Sequence, residues 1–269
     1  MGLSHYTQKW KNSDIDISIS PAELVMRGYV PNASGFHSYG EDSTGLTGST
    51  NRIIWPLTAD ILPLVSASGV ALSIVSDSAQ DAAAGTGART ILLHYLDANL
   101  AAQTLTVTMT GTTPVDTTTL GVTDVRWINC VHVVTAGTDR AVAGNINITG
   151  GGDQLAYLPA GEVRCSSSIR RVPAGYTGYI CGIVGSSIGL TSATRTTIRV
   201  VSSYAEGVSF ASQGILVPFG TIGLLDNSQT MELSCPFVIP EGEFVGFVAT
   251  SVKDAFISAD LFGWMEKND

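Results

Sequence analysis

The feature that most limits what this chain can fold into is its hydrophobic rhythm: apolar residues recur at every second position in short runs, and helical spacing is nearly absent. Ile15, Ile17 and Ile19 alternate with Asp16 and Ser18; Leu105, Val107 and Met109 alternate with Thr104, Thr106 and Thr108; Val131 and Val133 flank His132. A period of two places such residues on one face of a strand, so each run has a buried side and a wetted side. Further strands are expected at residues 70–75, 89–96, 122–135, 145–149, 176–184, 194–201, 230–234, 244–250 and 255–264. One helical turn or two is expected at residues 21–27, where Ser20 is placed to cap and Pro21 takes the first helical position.

Turn chemistry agrees with a β protein. Leu96-Asp97-Ala98-Asn99-Leu100 joins two alternating runs as a hairpin would, and three P-x-G segments, at Pro159, Pro173 and Pro240, punctuate the chain ahead of strand-like stretches. The expected fold is all-β, an antiparallel β-sandwich or jelly-roll-like body with an extended N-terminal arm. Residues 32–51, rich in Ser, Gly and Thr, are expected to be a linker, and residues 77–88, rich in Ala and Gly, a long exposed loop. The expected organisation is therefore an arm and linker over 1–50 and a β body over 51–269, with a candidate division near 150–153, where three glycines precede Asp153. The expected core includes Val107, Val133, Ile180, Ile198, Val200, Phe247 and Phe256.

Charge narrows the function classes. Fourteen Lys and Arg stand against 23 Asp and Glu, a formal charge of −9, which argues against a nucleic-acid partner. Arg164, Arg170, Arg171, Arg195 and Arg199 form a basic stretch ahead of a strongly acidic C-terminal segment. It is read either as a docking surface for an acidic neighbour or, with better odds, as solvated arginines on strand faces. The uncharged run 172–194 contains Pro173 and several glycines and reads as strand, turn, strand, so no membrane partner is expected. No secretory signal precedes the first strand, and Cys130, Cys165, Cys181 and Cys235 show no C-x-x-C spacing, so reduced, mostly buried thiols in a cytoplasm are expected.

Motifs for chemistry fail on context. Gly185-Ser186-Ser187-Ile188-Gly189 has the G-x-S-x-G spacing of a nucleophile elbow, but a Thr/Ile/Val-rich stretch follows where a helix is required, and all four histidines precede Ser187. Gly85-Thr86-Gly87-Ala88-Arg89 lacks the Lys-Ser/Thr ending of a phosphate loop and runs into a strand. The histidines are scattered in sequence. No catalytic, cofactor-binding or metal-ligating residue is nominated, and no cofactor is expected. Trp127 and Trp264 lie in apolar strand runs and are expected in the core, whereas Trp10 and Trp55, with Ile15, Ile17 and Ile19 of the arm, are the candidate subunit contacts.

Three segments carry a resemblance: Asp77-Ser78-Ala79-Gln80-Asp81-Ala82-Ala83-Ala84-Gly85-Thr86-Gly87-Ala88-Arg89-Thr90, then Tyr95-Leu96-Asp97-Ala98-Asn99, then Leu105-Thr106-Val107-Thr108-Met109-Thr110-Gly111-Thr112-Thr113-Pro114-Val115. As an ordered set, with Val172-Pro173-Ala174-Gly175-Tyr176 and Pro236-Phe237-Val238-Ile239-Pro240-Glu241-Gly242, they resemble virion structural proteins of tailed bacteriophages, marine ones especially. Met109-Thr110-Gly111 departs from the Leu-Asn-Gly usual in that family, and residues before 51 carry no resemblance. The resemblance implies a non-enzymatic particle component: a capsid decoration or cement protein, a head-fibre base, or a tail-associated protein. It would be assembled in the bacterial host cytoplasm and act through contacts with capsid or tail subunits; the apolar residues of the arm add the expectation of a homo-oligomer, a trimer, or of an obligate particle-bound subunit, with the arm in intermolecular contact. The alternative is a carbohydrate-binding host-recognition module of the same particle.

Overall fold

The computed structural model describes residues 24–25, 27–46, 52–56, 63–165, 167–189, 195–204, 206, 217–225, 228–252 and 254–268. Among the described residues, sixteen strands follow one another: β1 (Ala33–Leu46), β2 (Arg52–Ile53), β3 (Ser73–Ser76), β4 (Ala88–Leu96), β5 (Ala102–Thr108), β6 (Val115–Asp116), β7 (Trp127–Ala136), β8 (Ile146–Gly150), β9 (Asp153–Leu158), β10 (Arg170–Arg171), β11 (Tyr176–Gly189), β12 (Arg195–Ser203), β13 (Val217–Leu225), β14 (Ser228–Ile239), β15 (Phe244–Ser251) and β16 (Ala255–Lys267). The ladders between them are antiparallel, and they build four sheets: β1-β16-β11-β14, β10-β15-β12-β13 with β2 beside β15, β6-β3-β8-β9, and β5-β4-β7. Helix among the described residues is confined to Leu24 and Val25 and a 3-10 turn at Thr117–Leu120. The first of these closes with the Gly28 amide on the Val25 carbonyl and the Tyr29 amide on the Leu24 carbonyl, a paired helix stop. Residues 21–23 and 26 of the expected turn lie outside the described residues.

Two cores result. One is filled by Ile180, Ile183, Ile198, Val200, Ile239, Phe247, Ile257 and Leu261, drawn from both of the first two sheets. The other runs from Val65 to Cys165 and joins the remaining two sheets through Ile74, Ile91, Leu93, Val107, Val131, Ile146 and Leu158. The second unit is therefore inserted into the first between β2 and β10. A third cluster, with Ile53, Trp55, Leu96, Trp127, Ile169, Val201, Phe244 and Val248, cements the joint. Trp127 meets the Phe244 ring edge-on at 4.7 Å, and the Arg171 guanidinium lies 4.6 Å over the same ring.

The expected core residues Val107, Ile180, Ile198, Val200 and Phe247 are buried, as are Trp127 and Trp264, and Val133 is half-buried against the second core. Phe256 is corrected: it is 43% exposed. Ala255, Ile257, Ala259 and Leu261 hold the inward positions of β16, so alternation turns Phe256 outward whatever its size.

Residues 32–51 are not a linker. Most of them form β1, which pairs with β16 from Ala33 opposite Glu266 onward. Its small inward residues answer to a close crossing: a Cβ on Gly40 would stand 2.4 Å from the Ile54 carbonyl oxygen and 2.5 Å from Ser168 Cβ. Ser38 beside it donates its hydroxyl to the Ser167 carbonyl at 3.1 Å. What looked like linker composition is strand composition where another segment passes against the sheet.

The candidate division near 150–153 is also corrected, because Gly150 pairs with Asp153 inside the β8–β9 hairpin and both strands share one core. The Ala/Gly-rich loop is not simply exposed. Asp81 within it is fully buried and accepts from Ser76 Oγ at 2.6 Å and from the amides of Ala88, Ala143 and Gly144 at 2.7, 2.8 and 2.9 Å. Gly87 is required beside it, since a Cβ there would lie 2.2 Å from Asp81 Oδ1.

Candidate functional site

Strands β4 and β7 send Ile91, Leu93 and Val131 into the second core, so alternation leaves the intervening residues on the outer face. Register brings His94 opposite Cys130, which is itself buried and counted in the second core, and Leu92 opposite His132; the rings of His94 and His132 stack with centroids 5.3 Å apart. This face floors a cleft of about 920 Å³. One wall is the start of β1, with His37, and the other is formed by Arg164 and Arg170. The cleft thus lies between the inserted unit and the host unit.

Its electrostatics are unusual. Arg164 donates through Nη2 to the His37 carbonyl at 3.2 Å and through Nε to Cys130 Sγ at 3.3 Å. Arg170 donates to the same carbonyl at 2.7 Å, and its buried Nε has no hydrogen-bond partner. Neither guanidinium has a carboxylate within ion-pair distance among the described residues. Burial holds His94 below the ordinary imidazole value, against the pull of Cys130 and with His132, Arg170 and Arg164 adding to the depression. His37 Nε2 lies 2.5 Å from Asp260 Oδ2 across the β1–β16 ladder. The cleft is therefore suited to an anionic group or to thiol chemistry. Among the described residues no three His, Cys, Asp or Glu side chains are grouped to hold a metal ion.

The basic stretch divides. Arg164 and Arg170 line the cleft, while Arg171 is buried at the joint, where Glu206 takes Arg171 Nη1 at 2.5 Å and Arg126 Nη2 at 2.9 Å. Arg195 is exposed at the start of β12. Sequence reading saw the arginines but missed the histidines and Cys130 as a group. The signal that could have found them is their shared parity on two strands, which becomes informative only once the β4–β7 register is known.

Ser187 sits in mid-strand, fully buried, with its hydroxyl 2.7 Å from that of Thr196. That is a strand residue and not an elbow. Trp55, a candidate subunit contact, is corrected: it is 2% exposed and packs inside the chain in the joint cluster. Trp10, Ile15, Ile17 and Ile19 lie outside the described residues. Of the exposed apolar residues, Ile188 is paired directly with Phe256 across β11 and β16, and Val252 lies in the turn that leads into β16.

No family model matches the chain, and no curated protein matches its sequence. Among solved structures, the crystal structure of the infectious bursal disease virus VP2 subviral particle aligns at 10% identity over 93% of this chain and 83% of that one, with a TM-score of 0.14. The structure of the Gt strain of infectious bursal disease virus aligns at 10% identity over 88% and 80%, with a TM-score of 0.12. Those scores are too low to assign a shared fold. No helix among the described residues is long and apolar enough to cross a membrane.

Proposed function

We propose that the chain is a non-enzymatic structural component of a bacteriophage virion, a capsid decoration or cement protein, head-fibre base or tail-associated protein that works through subunit contacts. The two sheets that share the first core are read as a β-sandwich of jelly-roll type, with the second unit inserted on one side. The sequence resemblance over residues 70–262 supports the class. The observation that carries the contact role is the Ile188–Phe256 pair, 63% and 43% exposed and directly opposite each other across β11 and β16.

The occupant assigned to this patch is a second copy of the chain. Three side chains cannot supply the roughly 1,000 Å² that a specific interface needs. The N-terminal segment, with Trp10 and the alternating Ile15, Ile17 and Ile19, has the composition to supply the rest by adding a strand to a neighbour. A homotrimer in the virion is the proposed form. The three described tryptophans are buried, so they offer no shelf for the alternative, a sugar-binding module.

The test is light scattering on the full chain and on an Ile188→Asp, Phe256→Asp double variant, with circular dichroism as a folding control. The expected result is an oligomer that dissociates in the folded variant, and loss of incorporation into particles. A monomeric wild type, or undiminished incorporation of the variant, would refute the proposal.

A further inference from the structure

Two guanidinium groups converge on the cleft with no carboxylate beside them among the described residues, and the one group with anionic character that Arg164 touches is Cys130 Sγ, at 3.3 Å. Cys130 is among the residues that line the cleft, although it is buried and only 5% exposed, so its sulfur lies just beneath the cleft surface. Behind it, Cys165 lies beside the residue that follows Cys130: its amide donates to the Val131 carbonyl at 2.9 Å and its Sγ takes the Val131 amide at 3.2 Å, which places the two thiols next to each other. Both thiols are free. The Cys165 thiol foremost, with Arg164 and then Arg170 adding, holds Cys130 below the ordinary thiol range although burial opposes it; the same thiol–thiol interaction and burial hold Cys165 above it. A low thiol in front of a protonated one is the arrangement of an attacking and a resolving cysteine.

We propose that Cys130 and Cys165 are a thiol–disulfide pair, oxidised through the cleft by a low-molecular-weight disulfide of the glutathione class. The Cys130 thiolate attacks one sulfur of the incoming disulfide, forming a mixed disulfide and releasing one thiolate, which takes a proton from water. Cys165 then attacks Cys130 Sγ; the internal disulfide forms, and the second small thiol leaves with the proton that Cys165 gives up. Two protein thiols are oxidised, and one small disulfide is reduced to two thiols. The new bond ties β7 to the segment leading out of the inserted unit. A reducing cytoplasm keeps the pair open and an oxidising medium closes it. The inference is independent of the assembly reading, because its readout is covalent and needs no particle.

The experiment uses the full chain, reduced and then exposed to oxidised glutathione, with peptide mapping by mass spectrometry. Wild type is expected to yield a Cys130–Cys165 crosslink that dithiothreitol reverses, and Cys165→Ser is expected to accumulate glutathione on Cys130. A folded wild type that forms no such crosslink, or a Cys165→Ser protein labelled no faster at Cys130 than at Cys181, overturns the proposal. A second measurement leaves both thiols in place, so a folding defect of the serine variant cannot obscure the result. Iodoacetamide at about pH 6 should alkylate Cys130 roughly tenfold faster than Cys181, and Arg164→Gln should reduce that advantage. An unchanged rate in Arg164→Gln also overturns it. The groups that face Cys130 in such a pH profile are Arg164, Arg170, His94, His132 and Cys165.

Discussion

Asp81 organises more of the inserted unit than any other single side chain, because three backbone amides and one hydroxyl from separate segments end on its carboxylate. In Asp81→Ala those amides would be buried without an acceptor, and the expected loss is about 3–5 kcal/mol, read as a lower urea midpoint with an unchanged slope. His94 makes a pH-dependent contribution of definite sign. Its imidazole binds a proton less readily in the folded chain than in the unfolded one, chiefly through burial, so the unfolded state gains protons first on acidification. Stability should be fully present above about pH 6.5 and fall as the pH drops below that value. Urea titrations at several pH values check this, and His94→Gln should flatten the acid side. At this scale the sequence was half legible. His94 and His132 are visible as outward members of alternating strands, but nothing in the chain says which strands pair or that Cys130 lies beside them. Asp81 lies in an Ala/Gly tract whose composition is that of a loop, and only its partners, Ala143 and Gly144 among them, show it to be buried.

At the scale of elements, a strand is defined by what it pairs with as much as by what it contains. Hairpins announced themselves through local chemistry. The Asp97 carboxylate takes the Asn99 and Ala101 amides at 2.8 and 3.0 Å to turn β4 into β5, and the Tyr176 amide returns to the Pro173 carbonyl at 3.2 Å just ahead of β11. β1 gave no such signal. Its inward Ser38, Gly40 and Asp42 are small or polar because Ile54 and Ser168 pass against them, a constraint that lies more than a hundred residues away for Ser168. This changes what a truncation should do. A chain beginning at Leu24 keeps β1 together with the buried Leu24 and Val25 and should fold with a nearly unchanged melting temperature. One beginning at Asn51 exposes the whole flank of β16 and should melt several degrees lower or aggregate. Differential scanning calorimetry on the two distinguishes these outcomes, and equal melting temperatures would mean that β1 contributes nothing to the fold.

The molecule as a whole depends on its joint. Glu206 there accepts from Arg126 of the inserted unit and Arg171 of the host unit, and Asn129 adds a pair of bonds to the Arg171 backbone at 3.0 and 2.8 Å. Glu206→Gln leaves two largely buried guanidinium groups short of a counter-charge, at an expected cost of about 3 kcal/mol. Because the two units have separate cores, the variant should also unfold in two calorimetric steps, where wild type shows one. The pairing of β1 with β16 has a further consequence, in time. A ribosome adding about 5–20 residues per second takes roughly 10–40 s to travel from the end of β1 to the start of β16. Throughout that interval β1 has no partner strand, and well before its end the inserted unit has been synthesised whole, with every strand of its own core at hand. The host unit can close only after translation is nearly finished. A nascent chain stalled between the end of the inserted unit and β16 therefore carries a folded insert on an open, edge-exposed host, and that is the stage at which this protein most needs a chaperone.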